Sequence, residues 1–190
     1  MKNLMKTVRM LTALLLIGSL LTGAALAAET GSETTVDYSQ MDSETAVFTY
    51  LTREMGLNTA AACGVLANIQ YESDFDPTVW GDSGTSHGLC QWHAGRCSAL
   101  CSFCDEHGYD VDSVFGQMEY LNYELSTSYP GVLEKLQSVE DSADGAYDAA
   151  WYWCFYFEVP ANRESQAALR GDLAANSYYP AYADAEADVP

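Results

Sequence analysis

The sequence predicts a mainly α-helical domain with one small β-hairpin beside a cleft. Apolar residues recur at helical spacing through most of the chain, whereas glycine-punctuated turn chemistry is confined to residues 78–92. The segment TAAACGVLANIQ, residues 59–70, is apolar nearly all round, which is typical of a buried central helix. Three glycines, Gly81, Gly84 and Gly88, allow at most two or three short strands in the hairpin.

Residues 1–27 have the pattern of a secretory signal peptide. A positive n-region with Lys2, Lys6 and Arg9 precedes a short apolar run over residues 10–21, and an Ala-Leu-Ala cleavage site follows. The run is too short for a membrane span, so a retained anchor is the weaker alternative. We therefore expect a secreted, extracellular protein with no membrane attachment after the signal is removed.

The mature chain has the length of one domain. We expect a flexible acidic lead-in over 28–42, a folded domain over 43–179 and a disordered tail over 180–190. Helices are expected over roughly 44–55, 59–72, 94–107, 113–125, 132–136, 142–157 and 163–175.

Charge excludes two classes of partner. Removing the signal leaves five basic residues against 27 acidic ones, so no basic patch is available for nucleic acid or anionic lipid. We interpret the acidic excess as a solvated surface. The three histidines are too few and too scattered to predict a metal site, and no cofactor is expected. Nothing in the pattern predicts an oligomer, and we expect a monomer.

Six cysteines in an exported chain predict three disulfides, because the destination is oxidising. We expect each cysteine of the third helix to pair with one outside it. The first set is Cys97, Cys101 and Cys104, and the second is Cys63, Cys90 and Cys154. The Cys97-x3-Cys101-x2-Cys104 spacing also fits an iron–sulfur cluster, but a short exported helical chain is an unsuitable host.

Two carboxyl groups carry the predicted chemistry. Glu72 closes the buried helix, and burial would hold a carboxyl protonated, as acid-catalysed cleavage of a glycosidic bond requires. The alternative is a glutamate that merely fits the helix end and forms a salt bridge with an arginine. The second carboxyl could be Asp74, Asp76 or Asp82. We favour Asp82, because Asp74 and Asp76 are placed to cap the turn after the helix.

Further polar and aromatic residues around Glu72 are candidate sugar contacts. Tyr71, Trp80 and Trp92 could stack on sugar faces, although core packing is the commoner role of any one aromatic. Asn68 and Gln91 could bind N-acetyl amides. His87 and His93 could line the cleft as sugar contacts. Arg96 could bind a carboxylate of the substrate, or it could be one of few partners for the acidic surface. A Cys90–His nucleophile pair is a weaker alternative.

The residues NIQYESDFDP followed by GDSGTSHGLCQWHAGR resemble the phage tail lysozyme family of the lysozyme-like superfamily. The family pattern is a helix ending in Glu-Ser, then Gly-Asp-x-Gly, Gly-Leu-x-Gln-Trp and an arginine. The similarity extends through Gln117, Tyr120-Leu121 and Glu124-Leu125 to Phe157-Glu158 and Pro160, covering about residues 43–179. The six cysteines, the signal peptide and Val159, where an arginine is more usual, depart from the pattern.

This resemblance implies an α+β lysozyme-like fold, peptidoglycan glycan strands as the substrate and Glu72 as the general acid. It also implies that the secreted protein is associated with the cell wall. Cys90 fills the variable position of Gly-Leu-x-Gln-Trp, which favours a structural role for it. Three functions remain open: a muramidase that hydrolyses the MurNAc–GlcNAc β-1,4 bond, a lytic transglycosylase acting on that bond, and a non-catalytic wall-binding module.

Overall fold

The computed structural model describes residues 36–187, which form eight α-helices and one small three-stranded sheet. The predicted signal peptide and most of the predicted lead-in lie outside the described residues. The helices are α1 (Ser43–Arg53), α2 (Thr59–Ser73), α3 (Gly95–His107), α4 (Val114–Thr127), α5 (Pro130–Ser138), α6 (Ala143–Trp153), α7 (Arg163–Leu173) and α8 (Tyr179–Ala187). The strands are β1 (Trp80–Gly81), β2 (Ser86–His87) and β3 (Trp92–His93). The predicted mainly helical fold is confirmed.

Helix α2 is the centre of the core, as its composition predicts. Every residue from Thr59 to Ile69 is buried. Asn58 begins the helix by accepting a hydrogen bond from the Ala61 N–H at 2.8 Å. Gly64 allows close contact with α6, since a Cβ at this position would collide with Ala149. The helix therefore runs through the interior and delivers its last turn, with Glu72, to the surface.

The sheet is a three-stranded antiparallel meander. Trp80 pairs with His87 in β1 and β2, and His87 pairs with Trp92 in β2 and β3. The turn between β1 and β2 contains Asp82 and Ser83, both at positive φ. The predicted small sheet over residues 78–92 is confirmed, and it places the Asp82 turn at its open end.

Two segments continue helices in a wider π-helical form. Residues Cys154–Glu158 extend α6 and residues Ala174–Tyr178 extend α7. The second leads directly into α8, so the predicted disordered tail is wrong for residues 180–187, which are helical. The Tyr182 ring explains this order: it stacks on Phe48 at 4.0 Å between centroids.

The predicted disulfides are absent: no disulfide joins any of the six cysteines, all of which lie among the described residues. The α3 thiols instead contact partners on α3 itself and on α4. The thiols of Cys97 and Cys101, one turn apart, hydrogen-bond to each other, and that of Cys104 donates to the Gly116 carbonyl at 3.8 Å. Burial raises the pKa of Cys97 and Cys104, which favours the thiol form.

Within residues 36–187 no helix combines the length and apolar character that a bilayer crossing requires. Over the same residues, no group of three or more His, Cys, Asp or Glu side chains is arranged to hold a metal ion.

Candidate active site

Glu72 lies at the point where the buried helix α2 reaches solvent. It is the penultimate residue of the helix, and 19 % of its side-chain surface is exposed. Asp74 ends the helix in the left-handed conformation, at φ 51°. The chain turns away there, so the Glu72 carboxyl is accessible at the rim of an otherwise apolar helix.

The Glu72 carboxylate forms an ion pair with Arg170 of α7. The Arg170 Nη1 atom lies 2.6 Å from Glu72 Oε1, and the arginine side chain is buried. The same Nη1 donates to Asn68 Oδ1 at 3.0 Å. The guanidinium also lies over the Tyr71 ring, 5.3 Å from its centroid. Arg170 therefore fixes the orientation of Glu72 through a charge-assisted contact.

Asn68 anchors this network from below. Its Nδ2 atom donates to the carbonyls of Gly64 at 2.9 Å and Ala150 at 3.1 Å. Because the Asn68 side chain is buried and fully used by these contacts and Arg170, the predicted role as an N-acetyl ligand is wrong. Asn68 instead orients the arginine that orients Glu72.

Another carboxyl, that of Glu158, lies close enough to Glu72 for the charge of Glu72 to affect it. Glu158 is the last residue of the π-helical segment after α6, and its Oε1 accepts a hydrogen bond from Trp153 Nε1 at 2.8 Å. Burial and the negative charge of Glu72 raise the pKa of Glu158 to about 8, against the opposing effect of the Trp153 bond. Val159 then ends the segment at φ 54°, an unusual backbone for a β-branched residue.

Arg96 and Trp92 share one buried partner, Glu124. The Arg96 guanidinium binds both oxygens of Glu124, with Nε at 2.8 Å and Nη2 at 2.9 Å. Trp92 Nε1 donates to Glu124 Oε2 at 2.9 Å, and the tryptophan is 0 % exposed. The predicted stacking of Trp92 on a sugar is therefore wrong. Arg96 therefore pairs with a buried acid, whereas the predicted alternative was a partner for the acidic surface.

The sheet presents one aromatic ring to solvent. Trp80 is 54 % exposed and stacks on His87, with 4.1 Å between the ring centroids. His87 is fully buried, and its Nε2 lies 3.1 Å from Asp112 Oδ1. A direct sugar contact for His87 is therefore wrong, and the imidazole supports Trp80 from behind. Tyr71, 48 % exposed beside Glu72, is the second open aromatic.

Asp82 lies in the β1–β2 turn with 70 % of its side chain exposed. Its Oδ2 accepts a hydrogen bond from Ser86 Oγ at 2.6 Å and lies 3.6 Å from His93 Nδ1. Asp76, by contrast, accepts from the Thr78 N–H at 2.8 Å. The predicted capping role of Asp76 is confirmed. Asp82 is held by a hydroxyl and an imidazole while its carboxyl remains open to solvent.

Two glutamines position the loops around the site. Gln91 is half-buried, and its Nε2 donates to the Gly88 carbonyl at 3.0 Å. Its Oε1 occupies the space that a Cβ on Gly81 would fill. Gln117 bridges the loops after α2 and after β2: its Nε2 donates to the Pro77 carbonyl at 2.7 Å, and its Oε1 accepts from the Leu89 N–H at 2.8 Å.

Sequence reasoning missed Arg170 and Glu158 as site residues. Signals for both were present. Arg170 is one of only five basic residues after position 27, and Glu158 lies in the Phe157-Glu158 pair of the family similarity. A cavity of about 270 Å³ lies beside the site, lined by Gln70, Tyr71, Asp74 and Leu173. Glu72, Arg170 and Glu158 thus form one ionisable cluster next to an open aromatic surface.

A helical domain that delivers a glutamate from a central buried helix to the side of a small antiparallel sheet is an α+β lysozyme-like protein. The family model described as Phage tail lysozyme matches residues 42–182, most of the chain, and the chain belongs to that family. No curated protein matches the chain. Membership of the family points to a lysozyme-like, peptidoglycan-degrading role that acts on the cell wall.

Proposed function

We propose that the chain is a secreted peptidoglycan glycosidase that cleaves the MurNAc–GlcNAc β-1,4 bond with Glu72 as general acid. The observation that carries the proposal is the ionisable cluster at the end of α2. It contains Glu72, oriented by Arg170 at 2.6 Å, and a neighbouring carboxyl, Glu158, whose pKa is strongly raised. Two carboxyls in different surroundings, one paired with a cation and the other held by a neutral donor, suit acid-catalysed glycoside cleavage.

The chemistry requires a proton on the glycosidic oxygen as the C–O bond breaks, and a negative group to stabilise the oxocarbenium-like ring. Glu72 delivers the proton. Asp82, held by Ser86 Oγ on the turn of the sheet, is the proposed second carboxyl. Separations of roughly 5–5.5 Å give retention of configuration, and about 6.5–9.5 Å give inversion with an attacking water.

Two exposed aromatic rings supply sugar-binding surface to this site. Tyr71 lies directly beside Glu72 and lines the adjacent cavity. Trp80 presents its outer face while His87 supports its inner one. Flat apolar rings match the C–H faces of pyranose sugars. The half-buried amide of Gln91 is the remaining candidate for an N-acetyl contact, since Asn68 is occupied.

A lytic transglycosylase is the second candidate. The interacting carboxyls of Glu72 and Glu158 favour this enzyme over a binding module. Such an enzyme needs a single acid/base glutamate, because the substrate's own C6 hydroxyl attacks the intermediate. Glu72 with its immediate partners would be sufficient. A non-catalytic wall-binding module has no use for two interacting carboxyls at a solvent opening, so this arrangement argues against it.

Digestion of purified peptidoglycan with mass analysis of the products tests the proposal. Hydrolysis adds one water to each cleaved bond and leaves a reducing MurNAc end, whereas a transglycosylase leaves an anhydro end of lower mass. The control is Glu72→Gln, which preserves side-chain shape and which we expect to lower the rate by roughly 10²–10⁴-fold. Wild-type activity in a folded Glu72→Gln protein would refute the assignment of Glu72, and no cleavage by either protein would favour the binding module.

Secretion and a monomeric state complete the proposal. Secretion rests on the predicted signal peptide over residues 1–27, and its test is N-terminal sequencing of the exported protein. The monomer is tested by light scattering of the purified mature chain.

A further inference from the structure

The inference concerns Arg163, the first residue of α7, and it rests on the proposed function of Glu72. Arg163 follows Glu158 by five residues, and the π-helical segment that ends at Glu158 packs against α7. Arg163 and Arg170 are seven residues apart, close to two full turns, so both project from the same face of α7. At 1.5 Å per residue, they lie about 10 Å apart along the helix axis. Arg163 therefore lies on the same side of α7 as the arginine that orients Glu72.

Aromatic rings, rather than an acid, hold the Arg163 side chain in place. Its guanidinium carbon lies 4.8 Å from the centroid of the Phe155 ring. Phe155 in turn stacks on Trp151, with 4.6 Å between the ring centroids and 10° between the ring planes. A guanidinium that stacks on a ring is oriented by the cation–π contact and can still donate from its N–H groups.

Arg163 differs in its contacts from the other arginines around the site. Arg170 pairs with Glu72, and Arg96 pairs with Glu124. Within the described part of the chain, the half-buried Arg163 forms no ion pair and its side chain donates no hydrogen bond. Arginine presents five N–H donors in a planar fork that matches the two oxygens of a carboxylate. The fork of Arg163 is therefore available to a ligand.

A cavity of about 480 Å³ opens beside this guanidinium. Its lining residues are Phe155, Asn162, Arg163, Glu164 and Ser165. The volume is in the range of small-molecule sites, and the lining combines an aromatic ring with an amide, a hydroxyl and a cation. Glu164 is exposed, so solvent ions screen its charge more than that of the half-buried Arg163. The lining therefore suits a sugar that carries a carboxylate.

The buried thiol of Cys154, in the π-helical segment, connects this cavity to the proposed acid. Burial raises the pKa of Cys154 to about 11, and the charges of Arg170, Glu158, Glu72 and Arg163 all act on the same thiol. The guanidinium of Arg163 and the carboxyl of Glu72 therefore lie around one buried side chain.

We propose that Arg163 and the Phe155 ring form a binding site for a carboxylate-bearing MurNAc residue of the peptidoglycan strand. MurNAc carries a lactyl carboxyl, which is either free or joined to a peptide with carboxylates of its own. The sugar packs on the cavity wall, and the guanidinium binds the carboxylate through charge-assisted hydrogen bonds. After position 27 the chain has five basic residues against 27 acidic ones, so the rest of its surface repels an anionic polymer. Arg163 thus makes the site selective for the wall polymer over neutral glycans.

Arg163→Gln tests the proposal, because it removes the charge and keeps most of the side-chain length. On purified peptidoglycan we expect KM to rise roughly tenfold with kcat little changed, since a hydrogen bond to a charged group is lost away from the cleaved bond. Arg163→Lys, which keeps the charge without the planar fork, should recover part of that loss. Arg53→Gln, which removes an exposed cation of α1, is the control and should keep the wild-type KM.

Peptidoglycan whose carboxylates have been converted to neutral amides shows whether the charge of the substrate is recognised. On this material the KM of the wild type should itself rise roughly tenfold, and Arg163→Gln should raise it little further. Peptide-free glycan strands identify the source of the carboxylate: an effect of Arg163→Gln that persists there assigns the lactyl group, and one that disappears assigns the peptide. A wild-type KM of Arg163→Gln on intact peptidoglycan, or an equal loss on intact and amidated material, would overturn the inference.

Two further measurements keep the test decisive. If circular dichroism shows that Arg163→Gln is unfolded, Arg163→Lys takes its place, and a wild-type KM for that variant would overturn the inference. Sedimentation with insoluble peptidoglycan measures binding without cleavage, and Arg163→Gln should bind more weakly than the wild type. Weaker binding together with a fully active Glu72→Gln would refute the proposed function and leave this inference standing. Equal binding of Arg163→Gln and the wild type would refute this inference, whatever the activity of Glu72→Gln.

Discussion

Arg170 Nη1 contacts two acceptors on the same face of α2, Glu72 Oε1 at 2.6 Å and Asn68 Oδ1 at 3.0 Å. One nitrogen from α7 thus ties the candidate general acid to a buried amide one helical turn earlier. Since Asn68 is itself held by the Ala150 carbonyl of α6, three helices meet at this point. The orientation of the candidate acid and the packing of the helices therefore depend on the same side chain.

Arg170→Met should impair both stability and activity. Breaking a fully buried ion pair costs roughly 3–5 kcal/mol, and the partial exposure of Glu72 reduces this to about 2–3 kcal/mol here. Turnover should also fall, because Glu72 loses its fixed orientation. Urea unfolding and peptidoglycan digestion are the measurements. Lys135→Met, which removes an exposed pair with Asp148, is the control and should cost below about 1 kcal/mol. Equal effects of the two substitutions would contradict the anchoring role.

Asp82→Asn should lower activity more than Asp74→Asn or Asp76→Asn. Asp76 is already used to cap the turn through the Thr78 N–H, and Asp74 ends α2, whereas the Asp82 carboxyl is open to solvent on the sheet. All three variants are assayed on purified peptidoglycan, with circular dichroism as the folding control. If the activity of Asp82→Asn is near that of the wild type and the Asp74 or Asp76 variant is inactive, the second carboxyl lies in the turn after α2. Activity in all three would favour the transglycosylase mechanism.

Substitution of Trp80 should affect substrate binding, whereas substitution of Trp92 should affect stability. Trp80→Ala removes an exposed ring and should raise KM while leaving the unfolding free energy within about 1 kcal/mol of wild type. Trp92→Ala removes a fully buried ring and its bond to Glu124, and should cost roughly 3–5 kcal/mol. Chemical denaturation and initial digestion rates distinguish the two. The opposite ranking would mean that Trp92, not Trp80, meets the substrate.

Glu158→Gln should change how the unfolding free energy depends on pH. The pKa of Glu158 is raised in the folded protein, so its contribution to stability is fully present below its unfolded pKa, about 4.5, and is lost as pH rises through about 8. Glutamine does not titrate. The variant should therefore gain stability relative to wild type between pH 5 and pH 9, on the order of 1–3 kcal/mol. Urea unfolding at both pH values measures this, with Glu134→Gln as the exposed control. A difference between variant and wild type that does not change with pH would contradict a protonated Glu158.

Local pattern predicted the helices and the sheet well, because their signals are contained in short windows. The nearly continuous apolar composition of residues 59–70 placed α2, and the glycines of residues 78–92 placed the three strands. It erred where distant contacts decide the outcome. Tyr182 packs on Phe48, which makes the chain helical past residue 180. The disulfide prediction failed because it rested on the oxidising compartment, which says nothing about the distances between cysteines. In the structure, Cys97 and Cys101 of α3 contact each other and Cys104 contacts the Gly116 carbonyl.

The sequence by itself determined the helical class, the central apolar helix and the exit of Glu72 at its end, because each depends on residues adjacent in the chain. Only the tertiary structure decided which side chains complete the site. Arg170 is 98 positions from Glu72, and Glu158 is 86, so no local pattern can pair them. The tertiary structure also decided which aromatic residues are buried. Trp80 is exposed and Trp92 is buried, although both lie in the short segment of residues 78–92. Periodicity tells which residues share a face, whereas enclosure depends on what packs against that face.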